Sequence, residues 1–563
     1  MKTLAILLCL GVAAAMAQDA GTNPKAKAAF DKAENERKTD NNKAAVADYQ
    51  KAIELDPNFT DAQQMYIFAS QDLATTASVK DAVFSGKATK EQEAQFKKER
   101  EQATAQLEAQ YKKWAAAHPK TPGYQWALGD LNIYKDPKAA IGYFESSVKL
   151  DPKFAPGYQS LALMSEVQGD LDGQKEYLRK AVEAAPNDPK YLFDYAYAFH
   201  DSDVKKFQEI SEDLIRKFPE SRETAQAYYW LADTASTDSE KLHYLEALYN
   251  DKAPAAQDWK GGGLNMLFEI DAKSDMPKAL ALAQEVEKIK ENDKDDLSYW
   301  KAMATYAQNT MDAEQLLKDG KADAALAKLD EVKLPRWAHA EQLQLERERA
   351  HVLEASGQKQ KAYDIILDQY AKRPTDDSHA LLVQYGQGLG KDATAVDAEI
   401  WAAQEKNAKA ATEFSLPSYT SDKKKMSLAD FHGHVVLLNF WYPLCGPCRG
   451  EFPFIQSVLD KYKDQGFEIV AVNVEPEEND FVLPIMKGFH LGFIPLEGSG
   501  EFATESYHVR GEPTNFLIGA DGKLYFGPLE PISSPNSERT LELQVLALLR
   551  QQKDAAAQGE TAH

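Results

Sequence analysis

Prolines recur through the N-terminal two thirds of the chain with a near-constant period: Pro119, Pro152, Pro186, Pro219 and Pro254 are 33, 34, 33 and 35 residues apart. Such a period marks supersecondary units that cannot bury their apolar faces alone and must stack on their neighbours. In the cleanest unit Tyr158, Leu161, Ala162, Gly169, Leu178, Ala181 and Pro186 fall at the aromatic, apolar, small, turn, apolar, small and terminal places of a helix-turn-helix. The small residues let the paired helices approach, and the proline stops the second helix before the next unit. The same register fits Ala45, Tyr49, Ala52 and Pro57, and again Ala350, Gly357, Ala362, Ile366 and Pro374. Residues 76–118 lack these landmarks, and 255–310 keep helical periodicity without the register. Both are expected to be helical, with Gly261, Gly262 and Gly263 as a linker that lacks the Lys and Ser or Thr of a phosphate loop. No strand-like alternation interrupts the stretch, so residues 18–412 predict an all-α helical solenoid.

Ahead of it, Lys2, an apolar run over 4–15, and Ala15 and Ala17 before Gln18 read as a secretory signal peptide, residues 1–17. No later run of apolar residues is long enough to span a membrane, so the chain is expected to be exported and soluble, in the periplasm. With 88 Asp and Glu against 65 Lys and Arg, the net charge of -23 offers no electrostatic footprint for a phosphate backbone, so neither nucleic acid nor an anionic membrane is expected as partner. Of three cysteines Cys9 lies in the leader, which leaves Cys445 and Cys448. A disulfide closing so small a loop constrains the unfolded chain little, so the pair reads as chemistry before staple.

From Glu413 the texture changes. Residues 435–441 form a continuous apolar run, 447–465 carry helical spacing through Phe452, Ile455, Val458, Leu459 and Tyr462, and 467–474 form a second apolar run. This predicts a βαβ unit with strands buried on both faces. Residues 514–520 and 524–526 flank Asp521-Gly522, a type I′ hairpin signal, and Pro535 opens a last amphipathic helix. Residues 551–563 are expected to be a disordered tail.

The repeat pattern resembles the tetratricopeptide repeat. The segments FWYPLCGPCRGEFP at 440–453, FEIVAVNV at 467–474 and YHVRGEPTNFLIGADGKL at 507–524 together resemble the thioredoxin fold, in its exported TlpA/ResA-like branch. The fold class is therefore multidomain: a tetratricopeptide-like all-α solenoid followed by an α/β thioredoxin fold over 413–550.

The resemblance implies that Cys445, at a helix N-terminus that favours a thiolate, is the nucleophile and Cys448 the resolving thiol. Gly446 and Pro447 set the turn. Pro513 matches the cis proline beside the dithiol, with Glu512 and Thr514 around it, and Trp441 lies beside the motif as support or simple packing. Asn439 stands where cytosolic thioredoxins carry a buried Asp, so another acid must serve. Glu475 or Glu477 is the candidate proton carrier, the alternative being a solvated acidic loop. Glu512 replaces a more usual apolar residue and either opposes the Cys445 thiolate or turns to solvent. Leu444 stands where Trp often precedes the first Cys.

Other chemistries fit less well. Haem attachment wants His after the second Cys, where Arg449 stands. Zinc would have only the irregular His490 and His508, with His432 and His434 at a turn. The peroxiredoxin pattern lacks its Thr. No metal and no cofactor beyond the redox-active pair are expected. The implied function is a thiol:disulfide oxidoreductase that reduces protein disulfides, taking electrons from a membrane thiol carrier, with a protein partner on the repeats. The alternative is an interaction scaffold whose thioredoxin-like module docks or senses redox state.

Overall fold

The structure, a computed structural model, describes residues 23–85, 88–289, 294–335, 338–420, 423–529 and 531–560. The expected signal peptide lies outside them.

Paired helices run from Pro24–Lys38 to Ala393–Asn407. Four of the five periodic prolines act as read: second helices end at Ala117, Leu150, Ala184 and Lys217, each two residues before a proline of the series, whereas Pro254 lies four residues after its helix ends at Asn250 and opens a 3-10 turn. Gly169 and Gly357 take φ of 74° and 81° at the turns inside their units, a left-handed conformation that a side chain would strain. Ala45, Tyr49, Ala52, Ala181, Ala350, Ala362 and Ile366 are fully buried, as the register requires.

The stretch over 76–118 includes one long helix, Lys90–Ala117, opened by a Thr89/Gln92 capping box. One expectation fails. Gly261, Gly262 and Gly263 form no linker; they lie inside the helix Gln257–Ser274. The reason is steric, because a Cβ on Gly262 would meet Tyr229 at 2.8 Å and one on Gly263 would meet Leu248 at 2.6 Å.

The C-terminal domain begins slightly before 413. Its strands are β1 (Lys409–Ala410), β2 (Ser415–Pro417), β3 (Lys425–Ser427), β4 (Val435–Trp441), β5 (Phe467–Asn473), β6 (Ile494–Glu497), β7 (Thr514–Ile518) and β8 (Lys523–Leu529). Six of them form one sheet in the order β1-β8-β7-β4-β5-β6, while β2 and β3 make a separate ribbon. Strands β4, β5 and β6 are parallel and β7 and β8 antiparallel, a thioredoxin fold. Every residue of β4 is buried, which explains its unbroken apolar sequence.

Neighbouring residues of β4 serve opposite faces. Trp441 packs edge-on against Phe452 of the helix Gly446–Tyr462, with ring centroids 5.2 Å apart. Phe440 meets Phe502, Tyr507 and Phe516 on the other side. The β7–β8 turn differs from the expected type I′, in which both central residues have positive φ. Gly522 alone takes one, at 76°, and its N–H donates to the Gly519 carbonyl at 2.9 Å. The last helix runs Pro535–Glu560, so the expected tail is helical from 551 to 560 and 561–563 lie outside the described residues. No helix among the described residues is long and apolar enough to cross a membrane.

The two parts pack on each other. Lys90 and Lys97 pair with Glu501 and Glu477 at 2.8 and 2.6 Å, and Arg539 grips Asp376 through two hydrogen bonds of 2.9 Å. Gly169 of the repeats lies against Gly488 so closely that a Cβ on Gly488 would sit 2.1 Å from the Gly169 Cα. Trp401 packs on Tyr525 with ring centroids 5.3 Å apart.

Candidate active site

The parallel strand β4 delivers the chain to Pro443 and Leu444, and the next helix begins at Gly446, so Cys445 becomes its N-cap. Its Sγ lies 3.1 Å from the Cys448 N–H, one of the free amides of a first helical turn. Pro447 occupies that first turn, where a missing N–H costs nothing. Cys445 and Cys448 are joined by a disulfide, with Cα atoms 5.2 Å apart. Cys445 is only 1 % exposed and Cys448 fully buried, whereas Gly446 and Pro447 face solvent.

The Glu512–Pro513 peptide is cis, and the Glu512 carbonyl lies 3.9 Å from Cys445 Sγ. Thr514 follows in β7, its hydroxyl donating to the Gly511 carbonyl at 2.6 Å. Trp441 is fully buried under the site, which makes it a packing residue rather than a substrate contact.

Acids crowd this end of the domain. Burial pushes Glu475 up to about 8, and the charges of Glu478, Glu477 and Glu512 add to the effect. The Glu512 side chain therefore acts on Glu475, while its backbone faces the sulfur. Glu477 differs: against its burial, the Lys97 ammonium at 2.6 Å holds it below the usual carboxylate range. Of the two candidate carriers, Glu475 is the one that keeps a proton near neutrality.

Two further acids escaped the sequence reading. Glu478 accepts the Leu444 N–H at 2.7 Å and is pushed up to about 7 by burial, against the pull of that bond and of Arg449. Glu451 is fully buried one turn beyond Cys448 and also pushed up to about 7 by burial. It accepts from Asn515 at 3.0 and 3.1 Å and from the Ile532 N–H at 2.7 Å. The Asn439 amide in turn donates to Asn515 Oδ1 at 2.9 Å. The strand asparagine is thus tied through Asn515 to a carboxyl supplied by the helix. The signal was present in the sequence: Glu451 shares the helix face of Cys448, Phe452 and Ile455, where an acid is out of place.

No group of three or more His, Cys, Asp or Glu among the described residues is arranged to hold a metal ion.

The raised carboxyls make stability depend on pH. Glu451, Glu475 and Glu478, with Asp130 and Glu269 at about 7 and Asp194 at about 6 in the repeats, stay protonated in the folded chain after the unfolded chain has ionised. Unfolded carboxyls titrate near about 4. Between about pH 4.5 and 8 the folded state binds more protons, so stability falls as pH rises through that window. Denaturant unfolding at about pH 5 and pH 8 should show the loss, and Glu451→Gln should reduce it; stability flat or rising across the window would contradict these assignments.

Comparison with known proteins adds to this geometry. Residues 405–542 match the Redoxin family, and residues 25–59 and 155–188 match the tetratricopeptide repeat. A protein named thiol-disulfide oxidoreductase ResA from Bacillus thuringiensis subsp. konkukian is 36% identical over 120 residues, 21% of this chain and 66% of that one. The ResA of Bacillus subtilis is 39% identical over 101 residues, 18% of this chain and 56% of that one. The chain thus spans less than two thirds of the length of these curated relatives. A solved thiol:disulfide interchange protein of the thioredoxin family from Chlorobium tepidum is 27% identical, covering 25% of this chain and 97% of that one, with a TM-score of 0.22.

Proposed function

We propose that this redoxin-domain protein, whose redoxin domain follows tetratricopeptide repeats, is an exported thiol:disulfide oxidoreductase that reduces protein disulfides through Cys445 and Cys448. The observation that carries the reading is the placing of the pair, with Cys445 at a helix N-terminus beside the Glu512–Pro513 peptide. The names of the ResA relatives agree with it, and the leader-like residues 1–17 support export to the periplasm.

In the reduced protein the Cys445 thiolate attacks one sulfur of a substrate disulfide. A bond forms between Cys445 and that sulfur, and the other substrate sulfur leaves as a thiolate that takes up a proton. Cys448 then gives up its proton and attacks Cys445 Sγ. The mixed disulfide breaks, the second substrate sulfur leaves as a thiol, and the Cys445–Cys448 disulfide closes. Two electrons have passed to the substrate, and a dithiol donor, in this reading a membrane thiol carrier, returns them by the same exchange in reverse. Glu475 and Glu478, which hold protons near neutrality at the turn that carries Leu444, are the local sources for the leaving sulfurs.

The burial of Cys445 favours one second reading, a scaffold in which the pair senses redox state. Reduction of insulin by the full chain with excess small dithiol separates the two. Turnover well above that of the dithiol alone is expected, whereas a pair that cycles between reduced and oxidised without accelerating insulin reduction would overturn the enzyme in favour of the sensor.

A further inference from the structure

Arg449 follows the resolving cysteine, and its guanidinium makes two bonds to different parts of the chain. Nε donates to Glu166 Oε1 at 2.8 Å, across the joint to the repeat helix Ala155–Val167, and one Nη donates to the Pro443 carbonyl at 2.7 Å. Its backbone N–H donates to the Cys445 carbonyl at 3.1 Å, so Arg449 stands one helical turn from the nucleophile on the same face. Both side chains are largely withdrawn from water, 11 % and 18 % exposed. On the other side of the turn the Leu444 N–H is held by Glu478. The peptide group that joins Pro443 to Leu444, just ahead of Cys445, is thus held at both its carbonyl and its N–H by side chains, and the first of those holds is completed by a residue of another domain.

We propose that Glu166 of the repeats is a positioning residue for the dithiol: it holds the Arg449 guanidinium on the Pro443 carbonyl and offsets its charge beside Cys445. The role in turnover rests on the oxidoreductase reading above; the geometry does not. The charged or titratable groups facing Arg449 are Glu166, Glu478 and Tyr197, and the acids beyond them are Glu475, Glu477 and Glu512, with Lys97 on Glu477. Removing the Glu166 charge leaves the guanidinium less opposed one turn from the nucleophile, which favours the thiolate.

The test is titration of the reduced full-length protein by thiolate absorbance, with its reduction potential measured against glutathione. Glu166→Gln is expected to lower the Cys445 pKa by about 0.5–1 unit and to make the pair more oxidising. Arg449→Gln should raise the pKa, and the double variant should titrate like Arg449→Gln alone because Glu166 acts through the arginine. A Glu166→Gln curve coincident with the wild type would overturn the proposal, as would an equal shift in the Arg449→Gln background. If the wild type fails to reduce insulin while the Glu166→Gln shift is present, the oxidoreductase reading falls and the coupling stands; coincident curves in a protein that turns over remove the coupling alone.

Discussion

Cys445→Ser is expected to bring disulfide reduction down to the rate of the small dithiol alone, whereas Cys448→Ser should accumulate covalent adducts. The asymmetry follows from placement. Cys445 is the N-cap, where free amides and the helix dipole favour its thiolate, and Cys448 lies inside the first turn and is fully buried. Without Cys448 the mixed disulfide at Cys445 has no internal thiol to resolve it. Non-reducing electrophoresis after exposure to a disulfide-bearing protein reads the adducts. Adducts from Cys445→Ser rather than Cys448→Ser would reverse the roles, and none from Cys448→Ser beside an active wild type would remove the two-step exchange.

Gly488→Ala should open the joint between repeats and thioredoxin-like domain. The added methyl would lie 2.1 Å from Gly169 Cα and 2.3 Å from the Gly169 carbonyl oxygen, both backbone atoms that cannot swing aside as a side chain can. Overpacking of this kind costs about 1–3 kcal/mol, enough to detach a local contact while each domain stays folded. Hydrogen exchange should rise around 166–170 and 484–490 and remain unchanged in β4 and β5. Gly450→Ala is the control, since its Cβ meets nothing within 4 Å. It lies within the helix Gly446–Tyr462 and should be neutral, or stabilising by about 0.5–1 kcal/mol. Equal exchange in the Gly488→Ala and wild-type proteins would show that the glycine contact is not what joins the domains.

What could be read from the sequence was whatever a local rule dictates. Strands β4 and β5 are buried on both faces and so spell continuous apolar runs, and the periodic prolines mark chain stops whatever the surroundings. The end strand β6 was not legible: it is four residues long and contains Pro495, which an edge tolerates but which hides the strand pattern. The helix Asn479–Gly488 carries Pro484 inside it and was missed for a similar reason. At the site, Cys445, Cys448 and Pro513 were legible through their motif. Glu478 and Arg449 matter through partners at Leu444 and Glu166, contacts that no spacing rule announces. The glycines at 261–263 misled because a glycine run usually signals a linker, whereas here the missing Cβ atoms of Gly262 and Gly263 make room for Tyr229 and Leu248 within a helix.

The contacts that join the two parts bear on the order in which the molecule assembles. Repeat helices meet their neighbours along the chain, so each unit can form soon after it is made. The joints close over far greater distances in sequence: Lys97 to Glu477 spans 380 residues, Glu166 to Arg449 spans 283, and Asp376 to Arg539 spans 163. During synthesis the solenoid is therefore complete before β4 exists, and the last domain folds against a surface already in place. The redox pair matures last, on a preformed template, and a chain cut short before residue 409 would leave that template built and vacant.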